Sequence, residues 1–437
     1  GEVMKIAMVG TGYVGLVSGL CFAEFGFETI CVDKHQSRLN SIAKGVCPFF
    51  EPGLDDLLVK HLNSTKRFSL SNNLSESLKE ANVVFITVGT PTKRLENEAD
   101  LNDVYEVAEE ISESIVNYCV VVTKSTVPVG TTRKIKEIIS QKASSDKFDV
   151  VSNPEFLREG SAINDFMHPD RVVIGTEDKK SEDIMRQIYR PLSLQKTSIV
   201  STTIESAEVI KYASNSFLAT KISFINEVAD LCETVGADVQ DVAKAMGLDK
   251  RIGEKFLHAG PGFGGSCFPK DVKAFSSTAK KHNIEFSIIN AVNASNESRP
   301  RRIASKIKNR FNNKLEGISI GILGLSFKPN TDDIRDSTSI IIANELSKSG
   351  GNIKCFDPHA MTNAKEILPD LDYCDSAYDV CKGSRALVIA TEWNEFRALD
   401  LKKIKELMKD PIIFDLRNIY NETEVKDMGI EYHGVGK

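Results

Sequence analysis

The stretch with the most chemistry in it runs Gly260-Pro261-Gly262-Phe263-Gly264-Gly265-Ser266-Cys267-Phe268-Pro269-Lys270-Asp271. Four glycines fall within the six positions from Gly260 to Gly265, which suits a loop whose backbone N–H groups crowd a ligand. A merely structural cysteine needs no such setting, because most free thiols are buried and inert. The cation at Lys270 and a helix start expected near Asp271 both favour the thiolate at Cys267. A nucleophilic cysteine, forming a covalent bond to its substrate, is the chemistry this arrangement suits.

Other segments could serve such a thiol. Lys211 and Asn215 lie four residues apart in a helical stretch, hence on one face. Flanked by Ile210, Ala213, Phe217 and Leu218, they read either as a pair facing a cleft or as a solvated polar stripe. In the first reading Lys211 can steady an oxyanion. Asn153-Pro154-Glu155-Phe156-Leu157-Arg158-Glu159-Gly160 follows a strand. Its carboxylates read as proton-transfer groups or as plain surface charge. Gly89-Thr90-Pro91-Thr92 and Lys124-Ser125-Thr126-Val127-Pro128 also follow strands, where ligands bind in parallel sheets, although turn chemistry alone would explain either. His168 and His359 neighbour prolines and read as loop residues, and no Cys or His spacing suggests a metal.

A second kind of chemistry is written near the start. Gly10-Thr11-Gly12-Tyr13-Val14-Gly15 fits G-x-G-x-x-G between a strand and a helix. The first glycine makes the tight turn, the second lets a pyrophosphate approach the backbone, and the third lets helix pack on strand. Helix N–H groups then face the phosphates. Asp33 closes the next strand, where a carboxylate accepts hydrogen bonds from ribose hydroxyls and repels a 2′-phosphate. The expected cofactor is NAD rather than NADP.

These residues need a scaffold, and the patterning supplies one. Lys5–Val9, Thr29–Val32, Val83–Val88, Val120–Thr123, Val150–Ser152 and Arg171–Gly175 read as strands, with helical stretches alternating between them. A long helix follows over 203–235, with Thr202 and Glu205 read as its capping box. Ile318–Leu323, Asn352–Phe356, Ala386–Ala390 and Ile412–Phe414 then repeat the strand pattern, and Asp357 stands at one tip. The predicted fold is α/β: two Rossmann-like, doubly wound domains, 4–200 and 313–437, joined by a long central helix and a helical middle domain, 201–312. The 437 residues, 41% hydrophobic and 27% charged, suit a globular protein of that size, and the net charge of -6 argues against nucleic acid as a partner. Nine cysteines without a C-x-x-C pair fit reduced thiols in the cytoplasm. Met4–Ala23 has the apolar look of a signal peptide, but its glycine spacing speaks for the nucleotide turn. No other apolar run reaches membrane length, so no membrane partner is expected.

Taken together the chain resembles the UDP-glucose 6-dehydrogenase family from Met4 onward. The resemblance rests on G-F-G-G-S-C-F-x-K-D at 262–271, K-S-T-V-P at 124–128, N-P-E-F-L-x-E-G at 153–160 and K-x-x-x-N at 211 and 215. R-I-G-x-K-F-L at 251–257 and F-K-x-x-T-x-D-x-R at 327–335 add to it. It implies a four-electron oxidation of UDP-glucose to UDP-glucuronate, with two NAD consumed and with Cys267 held successively as thiohemiacetal and thioester. In that family pattern Lys211 stabilises oxyanions, Asp271 and Glu155 handle water and protons, and Asn215 and Thr126 place water. NAD is expected against Gly10, Gly12, Val14, Gly15, Asp33, Arg38, Thr90, Thr126, Glu159, Lys270 and Arg335. The UDP-sugar is expected against Glu155, Phe156, Leu157, Lys211, Asn215, the Phe256-Leu257-His258-Ala259-Gly260 backbone, Gly264, Lys328 and Arg417. Arg251 is expected to reach the neighbouring subunit's substrate, in a homodimer built through the central helix. Three alternatives stand beside this reading: the same chemistry on UDP-N-acetylmannosamine or GDP-mannose, a two-electron hydroxyacid-type dehydrogenase, and a catalytically silent nucleotide-binding regulator.

Overall fold

The computed structural model describes residues 3–93 and 96–437. It divides into two compact units. The first runs through Ser214 and includes Ser277–Ile284, and the second comprises Asn215–Ser276 and Glu285–Lys437.

The first unit is built on an eight-stranded sheet of β1 (Lys5–Val9), β2 (Glu28–Val32), β3 (Phe68–Ser71), β4 (Val83–Ile86), β5 (Cys119–Thr123), β6 (Phe148–Ser152), β7 (Arg171–Gly175) and β8 (Ser198–Thr202). Their order is β3-β2-β1-β4-β5-β6-β7-β8. All neighbours are parallel except β6 and β7, which meet antiparallel at Ser152 and Gly175. The central strands β4 and β5 are buried at every residue, as strands covered by helices on both faces must be. Alternate side chains serve opposite faces: Ile6 and Met8 join one core cluster, Ala7 and Val9 another. Phe22 anchors the first cluster, its ring 5.1–5.6 Å from those of Phe85, Phe166 and Tyr189. Truncating such a residue to alanine costs about 3–5 kcal/mol.

The second unit repeats the plan with β9 (Ser319–Leu323), β10 (Asn352–Phe356), β11 (Asp372–Tyr373), β12 (Ala386–Ile389), β13 (Ile412–Asp415) and β14 (Glu431–Gly434), in the order β11-β10-β9-β12-β13-β14. Both sheets therefore carry the doubly wound order in which ligands bind beyond the strand C-termini. The sequence reading anticipates the inner strands and omits β3, β8, β11 and β14. Those four are the sheet edges. Edge strands are short and half exposed, as the Ser198–Thr202 strand shows with no buried residue, so they lack the apolar signal of inner strands.

The long helix spans Ile204–Val235. Its start corrects the expected capping box: the Ser206 amide donates to Thr203 Oγ1 at 3.1 Å, so Thr203 is the cap. Glu205 instead accepts from Arg133 Nε at 2.5 Å. The helical stretch that follows comprises Val239–Gly247, Phe268–Lys281 and Ser287–Asn309.

Candidate active site

In the first unit the glycine turn is built as the fingerprint requires. Gly10 has φ +115° and its amide donates to the Val32 carbonyl at 2.8 Å. A Cβ at Gly15 would stand 2.2 Å from the Gly10 carbonyl oxygen, so only glycine lets the helix Tyr13–Glu24 seat there. A Cβ at Gly12 would meet nothing within 4 Å, and no side chain caps the helix at that residue. The space beside Gly12 at the helix N-terminus is thus open, which fits an anionic pyrophosphate. Asp33, at the tip of β2, accepts from the Thr11 amide at 3.2 Å, from Thr11 Oγ1 at 2.5 Å and from the His35 amide at 2.9 Å. Burial works to raise its pKa, but these bonds and Arg38, 3.7 Å away, hold the carboxyl below its usual value. Thr90 and Thr126 come together, Thr90 Oγ1 donating to the Thr126 carbonyl at 2.9 Å.

The same unit pairs Glu155 with Lys211. Both are about 4% exposed, with Lys211 Nζ 3.4 Å from Glu155 Oε1. The other Glu155 oxygen accepts from the Leu157 amide at 2.7 Å and so fixes its own loop. Two cations stand over the Phe156 ring: the Arg171 guanidinium carbon lies 3.4 Å from its centre and Lys211 Nζ 5.2 Å. Lys211 is therefore buried and paired, and the solvated-stripe reading is set aside. Glu159 lies half-buried further along the same loop.

In the second unit Cys267 immediately precedes the helix Phe268–Lys281, and the Asp271 amide donates to the Cys267 carbonyl at 2.8 Å. The helix thus starts earlier than the sequence suggests, and the thiol sits at its N-cap. There the positive end of the helix favours an anionic sulfur. Ser266 Oγ lies 3.5 Å from Sγ. Asp271, 1% exposed, accepts from Asn215 Nδ2 at 2.9 Å and lies 3.7 Å from Lys270 Nζ.

The glycine loop before Cys267 is held at its backbone. Asn296 reads Phe263 as another peptide would, accepting from its amide at 2.8 Å and donating to its carbonyl at 3.0 Å. Asn226 accepts from the Gly260 amide at 2.9 Å, and Arg299 Nε donates to the Gly260 carbonyl at 2.6 Å. Cβ atoms at Gly264 and Gly265 would stand 2.2 Å from the Asp336 carbonyl and 2.6 Å from the Phe327 ring. The glycines thus serve close packing against 327–336 as well as ligand access. Phe256 is held at φ +64°, a strained conformation for an aromatic residue. His258 Nε2 lies 2.7 Å from the Arg417 carbonyl, and Arg417 Nε donates to Ala390 O at 2.9 Å. Arg417 Nη2 is buried without a hydrogen-bond partner among the described residues, and an orphaned donor of this kind suits an anionic or carbonyl ligand. Lys328 Nζ lies 5.4 Å over the Phe327 ring, and Arg335 is engaged by Asp333 at 2.6 Å. Arg251 is 89% exposed and bonds Asp249 at 2.7 Å.

Models of one family match all three stretches of the chain. Residues 4–193 match the NAD binding domain of the UDP-glucose/GDP-mannose dehydrogenase family, residues 205–298 its central domain and residues 321–422 its UDP binding domain. The chain belongs to this family. It is 48% identical to a UDP-glucose 6-dehydrogenase of Rhizobium meliloti over 99% of this chain and 100% of that one. The corresponding enzyme of Rickettsia bellii is 47% identical, with 99% of each chain covered. Among solved structures it resembles a UDP-glucose dehydrogenase from Pyrobaculum islandicum, with TM-score 0.92, 36% identity and coverage of 100% and 98%. A UDP-D-ManNAc dehydrogenase from Pyrococcus horikoshii gives 0.86 and 28%, with 99% of each chain covered.

Within this family frame, several supporting residues escaped the sequence reading: Arg171, Asn226, Asn296 and Arg299. Each sits inside a strand or helix pattern; Asn226, Asn296 and Arg299 bond a loop more than thirty residues away and Arg171 stacks on Phe156 of another segment, so no local spacing announces them. Phe256, by contrast, lies within the R-I-G-x-K-F-L motif at 251–257, and Arg417 was expected from the family resemblance alone.

Proposed function

We propose that this chain oxidises UDP-glucose to UDP-glucuronate in two successive NAD-dependent steps, with Cys267 carrying the sugar covalently between them. The observation that carries this reading is the thiol at a helix N-cap behind a glycine loop clamped by Asn226, Asn296 and Arg299. The relatives named for UDP-glucose, at 48% and 47% identity, favour glucose over the N-acetylmannosamine sugar of the relative at 28%.

NAD, when bound, accepts the hydride at each oxidation. The first oxidation takes a hydride from C6 and a proton from its hydroxyl, leaving an aldehyde. The Cys267 thiolate adds to the aldehyde carbon and the oxygen takes up a proton, giving a thiohemiacetal. Loss of the second hydride and of the hydroxyl proton gives a thioester. Water attacks the thioester, the C–S bond breaks, and the thiolate returns as the carboxylate leaves. Lys211 stabilises the oxyanion at each addition, and Asp271 and Glu155 move protons to and from water. Asn215 orients the Asp271 carboxylate through their 2.9 Å bond, and Thr126 places water.

For the cofactor, the assigned contacts are Gly10, Gly12, Val14, Gly15, Asp33, Arg38, Thr90, Thr126, Glu159, Lys270 and Arg335. For the UDP-sugar they are Glu155–Leu157, Lys211, Asn215, Phe256–Gly260, Gly264, Lys328 and Arg417. The division into 4–200, 201–312 and 313–437 belongs to the same proposal. So does a homodimer through the helix Ile204–Val235: Phe217, Phe224 and Leu231 repeat every seventh residue and are 65%, 52% and 61% exposed. Such an apolar stripe marks an interface. Arg251, exposed in its own chain, then reaches the partner's substrate. A cytoplasmic location suits nine cysteines without a disulfide among the described residues.

The test is NADH yield with UDP-glucose, UDP-N-acetylmannosamine and GDP-mannose. Two NADH per UDP-glucose are expected, and one would sink the four-electron reading. Cys267→Ser is expected to stall after the first oxidation, and unchanged steady-state turnover in that variant refutes the covalent step.

A further inference from the structure

Behind the Glu155–Lys211 pair lies a cation that the proposed chemistry does not use. Lys124 follows β5 and is 4% exposed. Its Nζ donates to Asn153 Oδ1 at 3.2 Å and to the Tyr189 hydroxyl at 3.1 Å. It stands 5.8–6.0 Å from the ring centres of Phe85, Phe166 and Tyr189. Among the described residues no carboxylate comes within 4 Å of it. A buried ammonium without a contact ion pair is expensive, even with aromatic faces around it. Apolar packing would fill the same space at lower cost. Asn153, which it holds, opens the loop that carries Glu155, and Asn153 Nδ2 ties that loop to the Val173 carbonyl at 2.8 Å.

We propose that Lys124 is a positioning residue for the reaction: a buried cation that anchors the root of the Asn153–Gly160 loop through Asn153 and adds a second positive charge beside the Glu155–Lys211 pair. The inference rests on the function proposed above, in which that pair carries the chemistry. The titratable groups around Lys124 are Glu155, Lys211 and the Tyr189 phenol, whose ionisation burial suppresses. Burial pushes Lys124 down to about 8, with Glu155 opposing the shift and Lys211 adding to it. The added charge is therefore present at neutral pH and is shed in mildly alkaline solution.

The experiment measures kcat and KM across pH for wild type and Lys124→Met, with Glu155→Gln and Lys211→Met alongside. Lys124→Met leaves the Tyr189 hydroxyl still donating to Asn153 Oδ1 at 2.5 Å, so no new orphan is created there. At pH 7 its kcat is expected to fall about tenfold with KM little changed, and the gap to wild type to narrow above pH 9, where wild type has lost the same charge but keeps its hydrogen bond to Asn153. A ratio constant with pH means a merely structural role and overturns the proposal, as does unchanged kcat at pH 7. Folding is checked by thermal midpoint. Because the folded pKa lies below the unfolded value, the unfolded chain holds more protons between about pH 8 and 10 and wild-type stability rises across that window. Lys124→Met is expected to be at least as stable at pH 7, with its advantage shrinking as pH rises. Should it fail to fold, Tyr189→Phe removes one acceptor and is expected to move the alkaline limb of kcat to lower pH; an unmoved limb overturns the proposal. Full turnover in Glu155→Gln or Lys211→Met would instead refute the reading on which this one rests, so the two failures are distinct.

Discussion

The two units contain the same turn put to different uses. In each, the first strand of the doubly wound order ends in a glycine with positive φ: Gly10 at +115° after β1, Gly324 at +99° after β9. In each, that glycine's amide donates across to the neighbouring strand, to Val32 or to Phe356. In each, an aspartate closes the neighbouring strand. There the likeness stops. After Gly10 the helix begins at once and its N-terminus stays open at Gly12. After Gly324 the chain first lays down 325–337 and the helix begins only at Thr338. Asp33 keeps about 9% exposure and a loosely placed Arg38. Asp357 is fully buried and accepts from the amides of Leu325, Ser326, His359 and Ala360, from Ser326 Oγ and from Trp393 Nε1. The inserted segment consumes the second aspartate as a structural anchor and presses its other side, at Phe327 and Asp336, on the cysteine loop. One supersecondary unit thus serves as an open cradle when its acid keeps room for a ligand, and as a buttress when its acid is saturated from within.

That contrast can be broken by mutation. The largest effect is expected at Asp357→Ala, which strands several buried donors and should cost about 4–5 kcal/mol in chemical denaturation. NAD affinity of the folded protein should not change, and a loss of NAD affinity would mean the second turn is not a pure buttress. Gly15→Ala comes next. Its Cβ cannot clear the Gly10 carbonyl, so NAD binding by calorimetry should weaken about 10–100-fold. Gly324→Ala, equally crowded by Thr391, should lower the thermal midpoint and spare NAD affinity. A smaller effect sharpens the picture of the first region. Glu208 accepts from the Gly130 and Thr132 amides and from Thr132 Oγ1, capping the helix that follows the Thr126 loop. Burial raises it to about 7 against those bonds. A raised folded pKa stabilises fully below the unfolded value and loses that contribution as pH rises through 7. Between pH 5 and 8 wild type should therefore lose on the order of 2 kcal/mol relative to Glu208→Gln, read from thermal midpoints.

Much of the fold was legible in the chain because its signals are local. Val83–Ile86 and Cys119–Thr123 announce buried parallel strands by unbroken apolar runs. The edge strands were missed because a half-solvated strand needs no such run. The site was legible in the same proportion. Glycine spacing at 10–15 follows from the local turn; at 260–265 it marks a loop, although Gly264 and Gly265 also answer to packing against Asp336 and Phe327. The burial of Lys211 does not follow from local pattern, since a helical Lys with apolar neighbours faces either water or a core with equal ease.

By itself, then, the sequence determined a glycine turn closed by an acid, a thiol behind a glycine-rich loop and a repeated strand pattern, each a property of neighbours along the chain. Only the tertiary structure decided that Cys267 caps a helix, that Asn296 and Arg299 clamp its loop, and that Lys124 is sealed among aromatic rings. It also decided that Asp33 stays available while Asp357 is consumed. The reason is physical: solvation and hydrogen-bond saturation depend on what packs against a side chain from distant segments, and the residues that do so carry no mark of it in their own surroundings.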